Sequence, residues 1–195
     1  MKKEFTLTIY TENQVGLINK IAIMFSRRKI SLESLNTSPS EIENIYRFTL
    51  VVFETETVIR NLVRQLEKQI DVLKVYYNTN EEIIWQQMAL YKVATSTIMK
   101  DVKVERLLRE YGAKAVVIRE DFTVFETTGQ DEEINNLLKE LHKYGLIEFV
   151  RSSRIAIIKS SVGVHQDVLD MERNDPTKLP INNEYLNHKS MIFQM

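Results

Sequence analysis

The chain has 195 residues, of which 44% are hydrophobic and 27% are charged, and its formal net charge is −1. Such a composition is typical of a globular protein with one large domain or two small ones. The balanced charge argues against general attraction to nucleic acid or to an anionic membrane. The absence of cysteine excludes disulfides, zinc–thiolate sites and thiol catalysis.

The start of the chain bears on where the protein resides. Met1 to Phe5 run directly into a strand pattern, without the apolar core of a signal peptide. No apolar run approaches the ~20 residues that a membrane helix needs. We therefore expect a cytoplasmic protein.

The first half of the chain alternates between strand and helix patterns. Apolar residues recur at every second position in strands and at three- to four-residue spacing in helices. The predicted elements are, in order, a strand at 5–10, a helix at 16–28, strands at 30–37 and 46–53, a helix at 58–70 and a strand at 72–77. The order is therefore β-α-β-β-α-β.

The same order repeats after a polar joint at 78–82. The second set comprises a strand at 86–94, a helix at 104–111, a hairpin of strands at 113–119 and 122–128, a helix at 134–141 and one or two strands at 148–158. The sequence thus predicts an α+β protein of two tandem ferredoxin-like βαββαβ domains, at 1–79 and 80–160. Residues 161–195 are predicted to be an extension that is disordered or contacts a partner, with a turn or two of helix at 165–171.

The sheet of the first domain suggests a second copy. Two helices cover only one sheet face, and Thr49 and Val51 place uncharged residues on the other. We expect that face to be exposed and to pack on another copy or domain. The short, polar strand at 31–38 is expected to lie at a sheet edge, where pairing with another edge would satisfy its free backbone groups.

The stretch Thr11–Ile18 lies between the first strand and the first helix. The first N–H groups of a helix lack intrahelical partners and carry partial positive charge, so they can bind an anion. Asn13 is placed to cap the helix or to offer its amide to a ligand, and Gly16 allows close backbone approach. These residues alone fit either an ordinary turn or a ligand site. The second domain has Thr95-Ser96-Thr97 here, without glycine, so only the first domain has a candidate turn.

No catalytic constellation is visible in the sequence. The three histidines, His142, His165 and His188, are isolated and lack metal-ligand spacing. The chain has no glycine motif for nucleotide phosphates. Carboxylates are plentiful, but they fall on helix surfaces, where we expect them to be solvated: Glu110, Glu132, Glu133 and Glu140.

Several segments resemble the small, regulatory subunit of acetolactate synthase. That family opens with an ACT domain that carries E-N-x-x-G-x-L, then a helix with F-S-x-R, then a strand with N-I-E-S-L. The corresponding segments here are 7–17, 24–28 and 30–35, ending at Pro39. Residues 65–75 and 148–152 resemble later segments of the family, so the likeness covers about 160 residues in the same order.

The resemblance implies a fold and a function. ACT domains of this family pair through the edge strand after the first helix, which gives a continuous eight-stranded sheet, and bind a branched-chain amino acid, typically valine, at the pair interface. The catalytic subunit is a separate chain that carries thiamine diphosphate, Mg²⁺ and often FAD. The small subunit raises its activity and confers inhibition. The resemblance therefore implies a homodimer that binds the large subunit, with no cofactor, no nucleic acid and no membrane contact of its own.

The resemblance also implies an effector site, made of Asn13, Gln14, Val15, Gly16, Leu17 and Ser31. The N–H groups of Gly16 and Leu17 would take the effector carboxylate, and Asn13 would fix its orientation. Ser31 stands where the family has an asparagine, and Lys29 where it has a glycine. Serine lacks the two amide donors and the reach of asparagine, so the affinity and identity of the effector stay open.

Two other functions are consistent with the same sequence patterns. RNA-binding RRM domains share the βαββαβ order, and residues 47–53 superficially resemble their RNP1 motif, but the glycines and the basic surface are missing. A free-standing ACT-domain amino-acid sensor that serves another enzyme would share the turn and need no acetolactate synthase large subunit.

Overall fold

The computed structural model describes residues 1–100, 102–161, 163 and 166. The chain divides into two compact units, Met1–Ile84 and Trp85–Ala156, and the described residues from Ile157 onwards group with the first unit. Each unit has the predicted strand and helix order, which confirms the α+β fold class of two ferredoxin-like domains.

The first unit is a four-stranded antiparallel sheet with two helices. Its elements are β1 (Lys3–Glu12), α1 (Leu17–Arg27), β2 (Ser34–Pro39), β3 (Ile45–Glu54), α2 (Glu56–Leu66) and β4 (Val72–Asn78). The strand order is β2-β3-β1-β4, so β2 lies at an edge. Alternate strand residues such as Leu7, Ile9 and Leu50 are fully buried and pack with the apolar stripes of both helices. That burial stabilises the helices on the sheet.

The second unit repeats the pattern with additional elements. They are β5 (Ile83–Ala94), α3 (Thr95–Lys100), α4 (Val102–Glu110), β6 (Lys114–Ile118), β7 (Phe122–Gly129), α5 (Asp131–His142), β8 (Leu146–Arg151) and β9 (Ile155–Ile158). The strand order is β6-β7-β5-β8, and β9 also pairs with β5. Tyr91 is fully buried, and its hydroxyl donates to the carbonyl of Ile134 at 3.0 Å. The segment after β5 has no glycine turn, as predicted, but it forms α3, a helix that the sequence pattern did not predict.

Two predicted boundaries are wrong. The strand predicted at 30–37 begins at Ser34, because Lys29 adopts a left-handed conformation (φ 56°) that turns the chain after α1. Ile30 is 6% exposed through contact with the core rather than through strand pairing. The helix predicted at 58–70 ends at Leu66, where Gln69 N–H donates to the Leu66 carbonyl at 3.0 Å, and Ile70 is left 94% exposed.

The expectation of an open sheet face at Thr49 and Val51 is also wrong. Their side chains are 5% and 3% exposed. Their cross-strand neighbours Thr8 and Thr6 are 7% and 1% exposed. Atoms of the same chain therefore already cover this face, whereas strand alternation indicates only the chemical character of a face. The free edge of β2 therefore remains as the reason to expect a second copy.

Most of the predicted C-terminal extension cannot be compared with the structure. The predicted extension at 161–195, with its turn of helix at 165–171, falls outside the described residues except at 161, 163 and 166. Among the helices that are described, none combines the length and the apolar character needed to cross a bilayer.

Candidate functional site

The turn between β1 and α1 places a glycine at the start of the helix. Gly16 occupies the N-cap position with φ 84° and ψ 0°, and no side chain caps the helix. Of the two roles expected for Asn13, the capping of α1 is therefore wrong, since the helix begins four residues after it, and the contact of its amide with a ligand stays a prediction. A left-handed residue is needed here, and glycine adopts that conformation without strain.

The free donors of this turn differ from those predicted. Leu17 N–H donates to the Gln14 carbonyl at 3.3 Å, and Gln14 N–H donates to the Glu12 carbonyl at 3.0 Å. Within the described part of the chain, the N–H groups of Val15, Gly16 and Ile18 donate to no acceptor. Gly16 is thus available to an anion as predicted, whereas Leu17 is not, and Val15 and Ile18 are available in addition. The sequence could not identify Ile18, because that choice depends on which residue opens the helix.

The turn is anchored through its backbone while its side chains face solvent. Asn13 N–H donates to the Asn44 carbonyl at 2.9 Å, and Glu12 N–H donates to the Asp71 carbonyl at 3.0 Å. Asn13 and Gln14 are exposed, and so is Val15, which the structure leaves fully accessible. A Cβ built on Gly16 would meet no atom within 4 Å, so space for a ligand lies beside the glycine. Leu17, by contrast, is 2% exposed and belongs to the core.

Ser31 does not meet this turn within one chain. It is exposed and lies three residues before β2, and β2 begins where Ser34 opposes Val51. The turn lies beyond the other end of the sheet, where β1 reaches Glu12 opposite Ile45. The 11 residues of α1 separate the two ends by about 16 Å. Five of the six predicted site residues are therefore together, and the sixth is apart.

Lys29 takes a strained backbone conformation just after α1. Ile30 N–H donates to the Phe25 carbonyl at 3.1 Å and Lys29 N–H to the Ser26 carbonyl at 3.0 Å, which is the Schellman pattern of hydrogen bonds. The left-handed position of that motif usually holds glycine, but here it holds lysine with φ 56°. A left-handed residue with a Cβ costs about 1–2 kcal/mol.

The titratable groups show no catalytic arrangement in the described residues. No cluster of three or more His, Asp or Glu side chains that could hold a metal is found among them. Burial raises the pKa of Tyr91, a core residue, and hydrogen bonds from Thr79 lower the pKa of Glu82 at the joint after β4. Glu133, one of the predicted surface carboxylates, accepts from Gln130 N–H at 2.9 Å as part of the capping box of α5.

The fold and the glycine turn of the first unit define an ACT-domain protein, and comparisons with known families agree. Residues 7–74 match the model of the AHAS small subunit-like ACT domain. Residues 86–160 match the model of the small subunit of acetolactate synthase.

Individual relatives give the same result. The acetolactate synthase small subunit of Bacillus subtilis is 32% identical over 83% of this chain and 92% of its own length. Small subunit 2 of Arabidopsis thaliana, described as chloroplastic, is 30% identical over 82% of this chain and 33% of its own length. The crystal structure of the Thermotoga maritima small subunit shares the fold, with a TM-score of 0.73 and 22% identity over 82% of this chain and 99% of that one.

The chain belongs to the acetolactate synthase small-subunit family. This membership confirms the resemblance inferred from the sequence, and with it the prediction that the chain is a subunit of the small class and not the catalytic enzyme. The RNA-binding interpretation is set aside.

Proposed function

We propose that this chain is the regulatory subunit of acetolactate synthase in branched-chain amino-acid biosynthesis. It binds the large catalytic subunit, raises its activity and mediates feedback inhibition by a branched-chain amino acid, with valine as the proposed effector. Thiamine diphosphate, Mg²⁺ and FAD belong to the catalytic subunit in this proposal. The observation that carries it is the match to the small-subunit family along residues 7–160.

The turn supplies the chemistry that an amino-acid effector needs. Its carboxylate would accept hydrogen bonds from Gly16 and Ile18 N–H, at the positive end of the α1 dipole. The missing side chain of Gly16 leaves room for that approach. Val15 and Ile18 are exposed apolar residues on either side of the glycine, and they offer contact to a branched aliphatic side chain.

A homodimer would complete this site. If two β2 edges pair antiparallel about a two-fold axis, the Ser34 end of one strand lies beside the Pro39 end of the other. The Pro39 end is the end of the sheet that carries the Asn13–Gly16 turn. Ser31 of one chain would then lie at the same end as the turn of the second chain. This arrangement supports an effector site at the pair interface, although Ser31 and the turn are far apart within one chain.

Co-purification tests the proposed partner. The full chain carrying an affinity tag is co-expressed with the untagged catalytic subunit from the same genome, and the complex is isolated at near-physiological salt. We expect the catalytic subunit to be retained in a fixed ratio. A chain that binds valine in calorimetry but never retains the catalytic subunit would instead be a free-standing amino-acid sensor.

A further inference from the structure

The two segments that flank β2 carry opposite charges without partners in the chain. Arg27 and Lys29 precede the strand, and Glu41 and Glu43 follow it. All four side chains are exposed, and in the described part of the chain none of them forms an ion pair. The α1 dipole accounts for a cation in the last helical turn, such as Arg27. It does not account for a lysine beyond the helix end.

Among these four residues, Lys29 has an unfavourable backbone conformation. Its φ of 56° is a conformation that glycine adopts freely and lysine does not. Strained residues of this kind persist where the surrounding structure holds them, here through the hydrogen bonds of the Schellman motif. Within the described chain the Lys29 ammonium group forms no ion pair, so it is free to meet a carboxylate of another chain.

The positions of these charges along the chain favour a second copy of the same chain as the partner. β2 is a free edge whose preceding segment is basic and whose following segment is acidic. Antiparallel pairing of two copies brings the basic segment of each chain to the acidic segment of the other, twice over. Parallel pairing would bring like charges together.

We propose that Arg27 and Lys29 form ion pairs with Glu41 and Glu43 of a second copy, and that these pairs favour the antiparallel direction of the dimer. This inference rests on the dimer in the proposed function. Because Ser31 lies two residues from Lys29, the same pairs close one side of the interface that would hold the effector. Exposed ion pairs are screened by salt, so the dimer weakens as ionic strength rises.

Charge exchange between chains tests the proposal. One variant carries Arg27→Glu with Lys29→Glu, and the other carries Glu41→Lys with Glu43→Lys. Each alone has like charges on both flanks, so its homodimer dissociation constant should rise at least about tenfold at low salt. A one-to-one mixture of the two variants should dimerise like wild type, because opposite charges meet again. Arg64→Glu with Lys68→Glu, two exposed residues on or just after α2, is the control for net charge and should leave dimerisation unchanged.

Sedimentation equilibrium of the full-length chains separates the outcomes. Weak homodimers from each variant and a restored mixture support the ion pairs. If both charge-reversal variants dimerise as tightly as wild type, or if their mixture stays monomeric, the proposed ion pairs are wrong. The wild-type dimer itself would still stand. A wild-type chain that is monomeric at all concentrations contradicts the dimer of the proposed function as well.

Discussion

The backbone N–H of Asn13 donates to the carbonyl of Asn44 at 2.9 Å, so the β2–β3 hairpin holds the β1–α1 turn in place. This bond depends on no side chain of the turn. Changes of side chain at the turn should therefore alter ligand binding more than they alter the fold. Asn44 itself adopts φ 61°, a conformation that asparagine tolerates better than most residues.

Substitution of Gly16 tests whether the turn binds the effector. Gly16→Asp places a negative charge beside the free N–H groups, and we expect valine affinity to fall at least about tenfold. Gly16→Asn is the matched control, since the asparagine side chain has nearly the same shape as aspartate but carries no charge. Asparagine also tolerates the left-handed conformation. Calorimetric titration with valine measures both variants. Equal valine affinity in wild type and Gly16→Asp would mean that the turn binds no effector.

Ser31→Asn tests the predicted departure from the family pattern. Asparagine restores two amide donors and a longer reach, so valine binding should become tighter, by roughly one hydrogen bond or 0.5–1.5 kcal/mol. Titrations with valine, leucine and isoleucine would show which of these amino acids binds more tightly to the variant. Ser96→Asn, at an exposed position of α3 in the second unit, is the control and should change nothing. Unchanged affinity for all three amino acids in Ser31→Asn would place Ser31 outside the site.

Lys29→Gly should stabilise the fold. It relieves the left-handed strain of the Schellman motif, with an expected gain of about 1 kcal/mol. Lys29→Ala removes the same charge but keeps the strain, so it separates the two effects. Thermal unfolding at high salt, where surface charges are screened, should rank Lys29→Gly above wild type and Lys29→Ala near it. If glycine and alanine give the same melting temperature, the conformation at this position carries no strain.

The pH dependence of stability should include a contribution from Glu82. Its carboxylate accepts from the N–H of Thr79 at 2.7 Å and from the hydroxyl at 2.9 Å, which holds its pKa below the ordinary 4.5. A lowered folded-state pKa adds stability above pH 4.5, and that stability is lost as pH falls through the folded-state pKa. The group is exposed, so the gain is under about 1 kcal/mol.

The control for this effect is Glu82→Gln, which keeps an acceptor but cannot titrate. Melting temperatures of wild type and Glu82→Gln should differ at neutral pH and converge below the folded-state pKa of Glu82. A difference that persists unchanged into acid would show that the carboxylate charge is not its source.

The sequence was sufficient for those parts of the fold that depend on local pattern. The alternation in β1, the continuous apolar face of β3 and the apolar stripes of α1 and α2 identified these elements, because burial on one face imposes a fixed period. Ile30 and Leu32 follow the same alternation for another reason: they pack onto the core after the turn at Lys29. Ile70 continues the apolar spacing of α2 although the helix has already ended at Leu66. Periodicity alone does not distinguish residues inside a strand or helix from apolar residues that lie before its start or beyond its end.

The site was predicted only in part for a related reason. Residues 13–17 are neighbours in sequence, so their common location in one turn needed no long-range information. The separation of Ser31 from that turn depends on strand order and on the direction of α1, which a single sequence does not encode locally. The free donor at Ile18 was missed because it depends on where the helix begins, within one residue.

The activity of the catalytic subunit, measured with and without this chain and with added valine, is the most direct test of whether the chain is a regulatory subunit. We expect no acetolactate from this chain alone with thiamine diphosphate and Mg²⁺, a faster rate when it joins the catalytic subunit, and inhibition of that complex by valine. The complex with Gly16→Asp should be activated but resistant to valine. Acetolactate formation by the pure chain, or a catalytic rate that a saturating amount of the chain leaves unchanged, would contradict the assignment as a regulatory subunit.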